Sequence, residues 1–201
     1  MAAVAAYRGL VDQDGHDGEW ELIPPTQPSP EAYGRVSNPE RYRILHRWGR
    51  ELLDRLSAEF DVDRADVTGQ EPSSLRSDVA APAVRLTPRA AGAGLLAVVF
   101  TGFPGLVVRC GRWHKVALPA CGCDACDEDP DQLREQLECH VGALVSGNLF
   151  ERLSQRQGGW LLEYGIPGVG SGSSPWGAGD PFQQGCPEAV QWSAWPRRGD
   201  R

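Results

Sequence analysis

Three cysteines fall within one six-residue stretch, Cys121-Gly122-Cys123-Asp124-Ala125-Cys126. Thiolates are soft ligands that suit zinc, and Gly122 and Ala125 are small enough to let the backbone wrap a single ion. The spacing therefore predicts a metal site at Cys121, Cys123 and Cys126. A tetrahedral ion needs a fourth ligand, and no second cysteine pair stands at a zinc-binding separation. His114 is the preferred donor, because it lies on the strand leading into the loop and shares a side with Val116 and Leu118 by strict alternation. Cys139 and His140 rank lower. Both sit about 15 Å along the helix that follows the loop, and Cys139 also points away from that helix's apolar face. An oxygen of Asp124 or Asp127 could fill the position instead, or a bound water, which would leave it open. Cys110 and Cys186 would need a fold that the sequence does not supply.

Two other readings use the same residues. Cys123 and Cys126 form a Cys-x-x-Cys just ahead of a helix N-terminus, where the helix dipole lowers a thiolate pKa, as a redox centre requires. Asp124, Asp127, Glu128 and Asp129 act the other way, since their negative charge raises that pKa and attracts a cation. Free cysteine also packs as a small hydrophobe, but three in one acidic loop suit that role poorly. A thiol redox protein or a metal-dependent enzyme using Cys121, Cys123 and Cys126 is thus the alternative to a structural zinc site.

The loop must be held by its neighbours. Asn38-Pro39-Glu40 reads as a helix start, and Tyr42, Leu45, Leu52, Leu53, Leu56 and Phe60 follow it in one apolar stripe. The polar stretch from Val62 to Pro82 reads as a loop. Strands are expected at Val84–Thr87, Leu95–Thr101, Leu106–Arg109 and Trp113–Leu118, forming an antiparallel meander that turns at Gly102–Gly105 and Gly111. A second helix opens at Asp129-Pro130, buries Leu133, Leu137, His140, Val141, Leu144 and Val145, and ends at Gly147. Leu149–Leu153 and Trp160–Tyr164 read as a hairpin. The Gly- and Pro-rich stretch from Gly165 to Glu188 is not expected to hold a core element.

The fold class that follows is α+β: two amphipathic helices packed on a mainly antiparallel sheet, with irregular N- and C-terminal arms. Residues 1–36 form an extended Pro-rich arm, which Trp20, Leu22 and Ile23 could dock to the core. Residues 37–165 form one domain, and 166–201 a tail with an edge strand at 190–195. Trp176, Trp192 and Trp195 in that tail suggest a docking surface.

Composition narrows the function. With 24 Gly and 16 Pro, about one residue in five disfavours regular structure, which is why the ends are read as arms. A net charge of −7 argues against nucleic-acid binding and fits a soluble protein or one that neutralises a basic partner protein. Arg43, Arg47 and Arg50 share a helix side, but Glu51 is placed to pair with Arg47. No stretch reaches the roughly 20 apolar residues of a membrane span, and the N-terminus has no basic residue ahead of its short apolar run. The expected location is the cytoplasm, where thiols stay reduced. Oligomeric state is not encoded in any of these features.

Ser37-Asn38-Pro39-Glu40-Arg41-Tyr42, Phe103-Pro104-Gly105-Leu106, Gly111-Arg112-Trp113 and above all Cys121-Gly-Cys-Asp-Ala-Cys-Asp-Glu128 resemble an uncharacterised family of proteins of about this length from high-GC Gram-positive bacteria. The resemblance covers about residues 36 to 165, with a weaker extension over Trp192 to Arg198. It carries no activity, substrate or cofactor. The residues themselves favour a non-enzymatic cytoplasmic binding or accessory module, with zinc held by Cys121, Cys123, Cys126 and His114 and clamping the meander to the second helix.

Overall fold

Apolar side chains at helical spacing from Tyr42 to Phe60 need a surface to bury against, and the meander provides it. The computed structural model describes residues 28–68, 81–156, 159–166, 170–176 and 188–199. A short 3-10 turn, Pro39–Tyr42, leads into α1, Arg43–Glu59. Asn38 makes no side-chain capping bond, so Pro39 with its fixed φ, rather than Asn38, marks the start. The expected stripe is the buried one: Tyr42, Leu45, Leu52, Leu53, Leu56 and Phe60 are all buried. Of the arginines opposite, Arg43 pairs with Glu40 of the preceding turn at 2.5 Å and Arg47 with Glu51 of α1 at 3.7 Å.

Five strands form an antiparallel meander in chain order: β1 Val62–Thr68, β2 Pro82–Pro88, β3 Leu96–Phe100, β4 Leu106–Cys110 and β5 His114–Leu118. Strand β1 replaces part of the expected loop. It pairs with β2 along its whole length, from Val62 opposite Pro88 to Thr68 opposite Pro82. As an edge strand it is supported on one side only, and Asp63, Arg64 and Asp66 can stay in water, so its composition hides it. Central β3 is buried on both faces.

Helix α2, Pro130–Val145, is capped by Asp129, whose carboxylate accepts from the Asp131 N–H at 2.9 Å. Leu133, Leu137, Val141 and Leu144 are buried and His140 half-buried, while Gly147 closes the helix at φ 75°. Both helices share one core with Leu86, Leu96, Val98, Leu106, Val108 and Leu118 of the sheet. Each fully buried leucine contributes about 2 kcal/mol of hydrophobic free energy.

A second antiparallel sheet follows, in the order β8-β7-β6-β9: β6 Phe150–Arg156, β7 Gly159–Ile166, β8 Gly170–Trp176 and β9 Glu188–Gln191. The Gly-rich stretch thus holds a strand. Glycine has a use there: a Cβ on Gly172 would stand 2.5 Å from the Tyr164 hydroxyl. The chain then returns to the first core. Trp195 is buried, meets Phe60 edge-on at 5.8 Å, and donates its indole N–H to the Gly94 carbonyl at 2.9 Å. Trp192 is half-buried and hydrogen-bonded inside the fold. These two residues are therefore structural anchors rather than a docking surface, because each indole N–H finds an internal acceptor. Trp20, Leu22, Ile23 and Cys186 lie outside the described residues, as does the side chain of Trp176. Among the described residues no helix is long and apolar enough to cross a membrane.

Candidate metal centre

The cysteine loop joins the end of β5 to the start of α2, so it is anchored at both ends by core elements. The Sγ atoms of Cys121, Cys123 and Cys126 all lie within 4.8 Å of one another, and those of Cys121 and Cys123 are 3.2 Å apart. Three sulfurs about 2.3 Å from one tetrahedral zinc stand about 3.8 Å from each other, so small side-chain adjustments fit this set to such an ion. Cys123 is buried, Cys121 half-buried and Cys126 exposed. Hydrogen bonds from the Cys121 thiol and the Cys126 backbone hold the Cys123 thiol below its ordinary pKa. Hydrogen bonding to the Cys121 and Cys123 side chains, with some burial, pushes Cys126 up to about 12. Metal ligation requires cysteine as thiolate, so a lowered Cys123 pKa eases the exchange of its proton for a cation.

The loop's backbone is fixed from outside. Asp124 N–H donates to the Arg35 carbonyl at 2.9 Å and Ala125 N–H to that of Ala32 at 3.2 Å. The segment around the 3-10 turn Pro30–Tyr33, expected as free arm, thus packs on the loop. Carboxylates complete the frame. Asp124 accepts from Arg35 Nε at 2.6 Å, from Ser37 N–H at 2.8 Å and from the Ser37 hydroxyl at 2.7 Å. These contacts, Arg35 foremost, pull its pKa down to about 2. Glu128 accepts from Cys121 N–H at 2.7 Å and Ala120 N–H at 3.3 Å, and Asp127 pairs with Arg41. The acidic residues therefore hold the loop in shape. Asp124, weighed above as an oxygen ligand, has both oxygens committed elsewhere.

His114 is also placed elsewhere. It is the first residue of β5, whereas the loop begins after the last, Leu118, about 13 Å away at strand spacing. Its Nε2 lies 3.1 Å from His140 Nδ1, and its ring stacks on Tyr164 with centroids 4.1 Å apart. Alternation correctly puts His114 on the side of Leu118, but that side is the protein core. Burial, reinforced by His140, pushes its pKa down to about 3, so the imidazole is neutral. Cys139 is exposed on α2 and Cys110 is fully buried, its thiol pKa raised by burial and by the Glu151 carboxylate. Neither joins the group of mutually close sulfurs.

Sequence reasoning passed over Glu151, which is fully buried. Its Oε1 accepts from the N–H groups of Trp113 at 2.8 Å and His114 at 2.5 Å, and its Oε2 from Arg112 N–H at 2.9 Å and Trp192 Nε1 at 2.6 Å. One carboxylate thus ties the β4–β5 turn of the first sheet to β6 of the second. A signal was available: Glu151 stands in phase with buried Leu153 on its strand and with buried Leu149 just ahead of it.

Gly122 carries the Phe103 ring directly against it, where a Cβ would collide with the ring. Gly122→Ala is expected to cost about 1 kcal/mol in urea denaturation, within the range for overpacking. The cost should largely vanish in a Phe103→Ala background, and an equal cost in both backgrounds would show that the ring is not its origin.

Fold and site together define an α+β protein with two antiparallel sheets and a three-thiol loop suited to a metal ion. The chain belongs to a family of unknown function, DUF6226, whose profile matches residues 8–199. That match includes the cysteine loop and also the C-terminal segment that carries Trp192 and Trp195. No curated protein and no solved structure matches the chain.

Proposed function

We propose that this protein is a non-enzymatic binding or accessory module of the cytoplasm in which Cys121, Cys123 and Cys126 hold a structural zinc ion. The observation that carries this reading is the convergence of three sulfurs within 4.8 Å on a loop whose nearby carboxylates are engaged in holding its backbone. Soft donors select zinc or another thiophilic ion over calcium or magnesium. The ion would staple three pieces together: the end of β5, the start of α2 and the segment from Ala32 to Ser37. A reducing compartment keeps the three thiols available.

Elemental analysis of reduced, untagged protein is expected to give one equivalent of zinc. The two helices and the first sheet share a core that does not include the loop, so chelation should free residues 119–129 and 30–37 before the rest. Amide hydrogen exchange reads this as lost protection in those segments alone. The lowered pKa of Cys123 supports a second reading, a thiol redox centre. Protein that carries no metal, and whose cysteines oxidise reversibly at mild potential, would replace the zinc reading with that one.

A further inference from the structure

We propose that the metal at Cys121, Cys123 and Cys126 keeps its fourth position open to solvent and takes there the imidazole nitrogen of a histidine supplied from outside the chain. The inference rests on the metal reading above and adds what the site recognises. Among the described residues, no fourth ligand atom joins the three sulfurs. Asp124, Asp127 and Glu128 are bound to Arg35, Arg41 and backbone N–H groups, and His114 is bound to His140 in the core. Cys123 is buried, whereas Cys126 is exposed, so the cluster is open to water on its Cys126 side.

Charge selects the ligand. Three thiolates around a divalent ion already carry one net negative charge, and the loop adds Glu128 and Asp129 beyond its ion pairs. A fourth thiolate, a carboxylate or a metal-bound hydroxide would bring a further negative charge into that field, whereas a neutral imidazole does not. The disfavoured hydroxide also fits a docking role better than a hydrolytic one. Apolar surface points the same way. The two large hydrophobic side chains exposed among the described residues are Tyr33, 60% exposed, and Phe103, 36% exposed. Phe103 stands on Gly122, and Tyr33 follows Ala32, whose carbonyl accepts from Ala125. Phe103, packed on Gly122 between two of the cysteines, is therefore an exposed ring close to the loop for a ligand entering the open vertex.

The test uses the full chain loaded with cobalt(II) in place of zinc under reducing, anaerobic conditions, with the visible absorption bands of the cobalt as readout. Imidazole is expected to shift these bands along a saturable curve. Azide, an anion of similar reach, should bind at least tenfold more weakly, and Phe103→Ala should weaken imidazole severalfold. Bands unmoved by imidazole, azide binding as tightly as imidazole, or an imidazole affinity indifferent to Phe103 would each overturn the proposal. His16→Ala and Cys186→Ala should leave the starting spectrum unchanged, and a change in either would show the chain filling its own vertex. Failure to bind cobalt at all would instead remove the metal reading, and this inference with it.

Discussion

Glu151→Ala is expected to destabilise the protein by about 4 kcal/mol in urea denaturation, a large part of the 5–15 kcal/mol that holds a typical domain together. The reason is the set of partners left behind. Four N–H donors, from Arg112, Trp113, His114 and the Trp192 indole, converge on the two carboxylate oxygens. A hydrogen bond to a charged group is worth about 1.5–3 kcal/mol, and a buried donor left without an acceptor costs about 1–3 kcal/mol. The four are not additive, because Arg112 is exposed and water can reach its N–H. Glu151→Gln isolates the chemistry from the cavity: shape is kept, but one acceptor oxygen becomes an NH2 facing donors, and the expected cost is still about 3 kcal/mol. The Trp192 emission should move to longer wavelength in both variants as its indole loses its anchor. A cost below about 1 kcal/mol for Glu151→Gln would mean that the carboxylate is not the tie between the sheets.

The same contact explains Gly111-Arg112-Trp113. Gly111 sits at φ 77°, and a Cβ there would collide with both the Trp192 indole nitrogen and Glu151 Oε2. Glycine is required twice over, for the turn and for the close approach of a buried carboxylate. From the sequence the glycine was legible as a reversal, because turn chemistry is local. The carboxylate it accommodates is on a strand nearly forty residues further on, and nothing local announces such a partner.

Legibility divided along that line elsewhere. Helix stripes and the central strands were readable because side chains three or four apart, or two apart, report their own burial, and of the two expected N-caps Asp129 caps its helix while Asn38 does not. Strand β1 was not, since an edge strand is defined by its neighbour β2 more than by its own apolar content. The convergence of Cys121, Cys123 and Cys126 was readable because six residues can bring three sulfurs together with little help from the rest of the fold. The placement of His114 was not. Alternation fixed the face it occupies, but not that the loop opens from the far end of β5, nor that His140 and Tyr164 already fill its surroundings.

That buried histidine is expected to make the protein sensitive to mild acid. In the unfolded chain His114 takes up a proton near pH 6.5, whereas in the folded chain burial and the neighbouring His140 hold its pKa at about 3. Between those values the unfolded state binds more protons than the folded one, so stability falls as pH falls, by about 1.4 kcal/mol per pH unit from this group. At pH 5 the loss is about 2 kcal/mol relative to neutral pH. His140 and His46, both lowered mainly by burial, act in the same direction, while Asp124, at about 2, contributes only at lower pH. The two rings at 3.1 Å titrate as a pair, since a proton on one opposes a proton on the other. His114→Gln keeps a side-chain hydrogen-bonding group beside His140 and removes the titration. Urea denaturation from pH 7 to 4.5 should therefore show a slope reduced by close to one proton in this variant, whatever its stability at pH 7. An unchanged slope would place the acid sensitivity outside the His114–His140 contact.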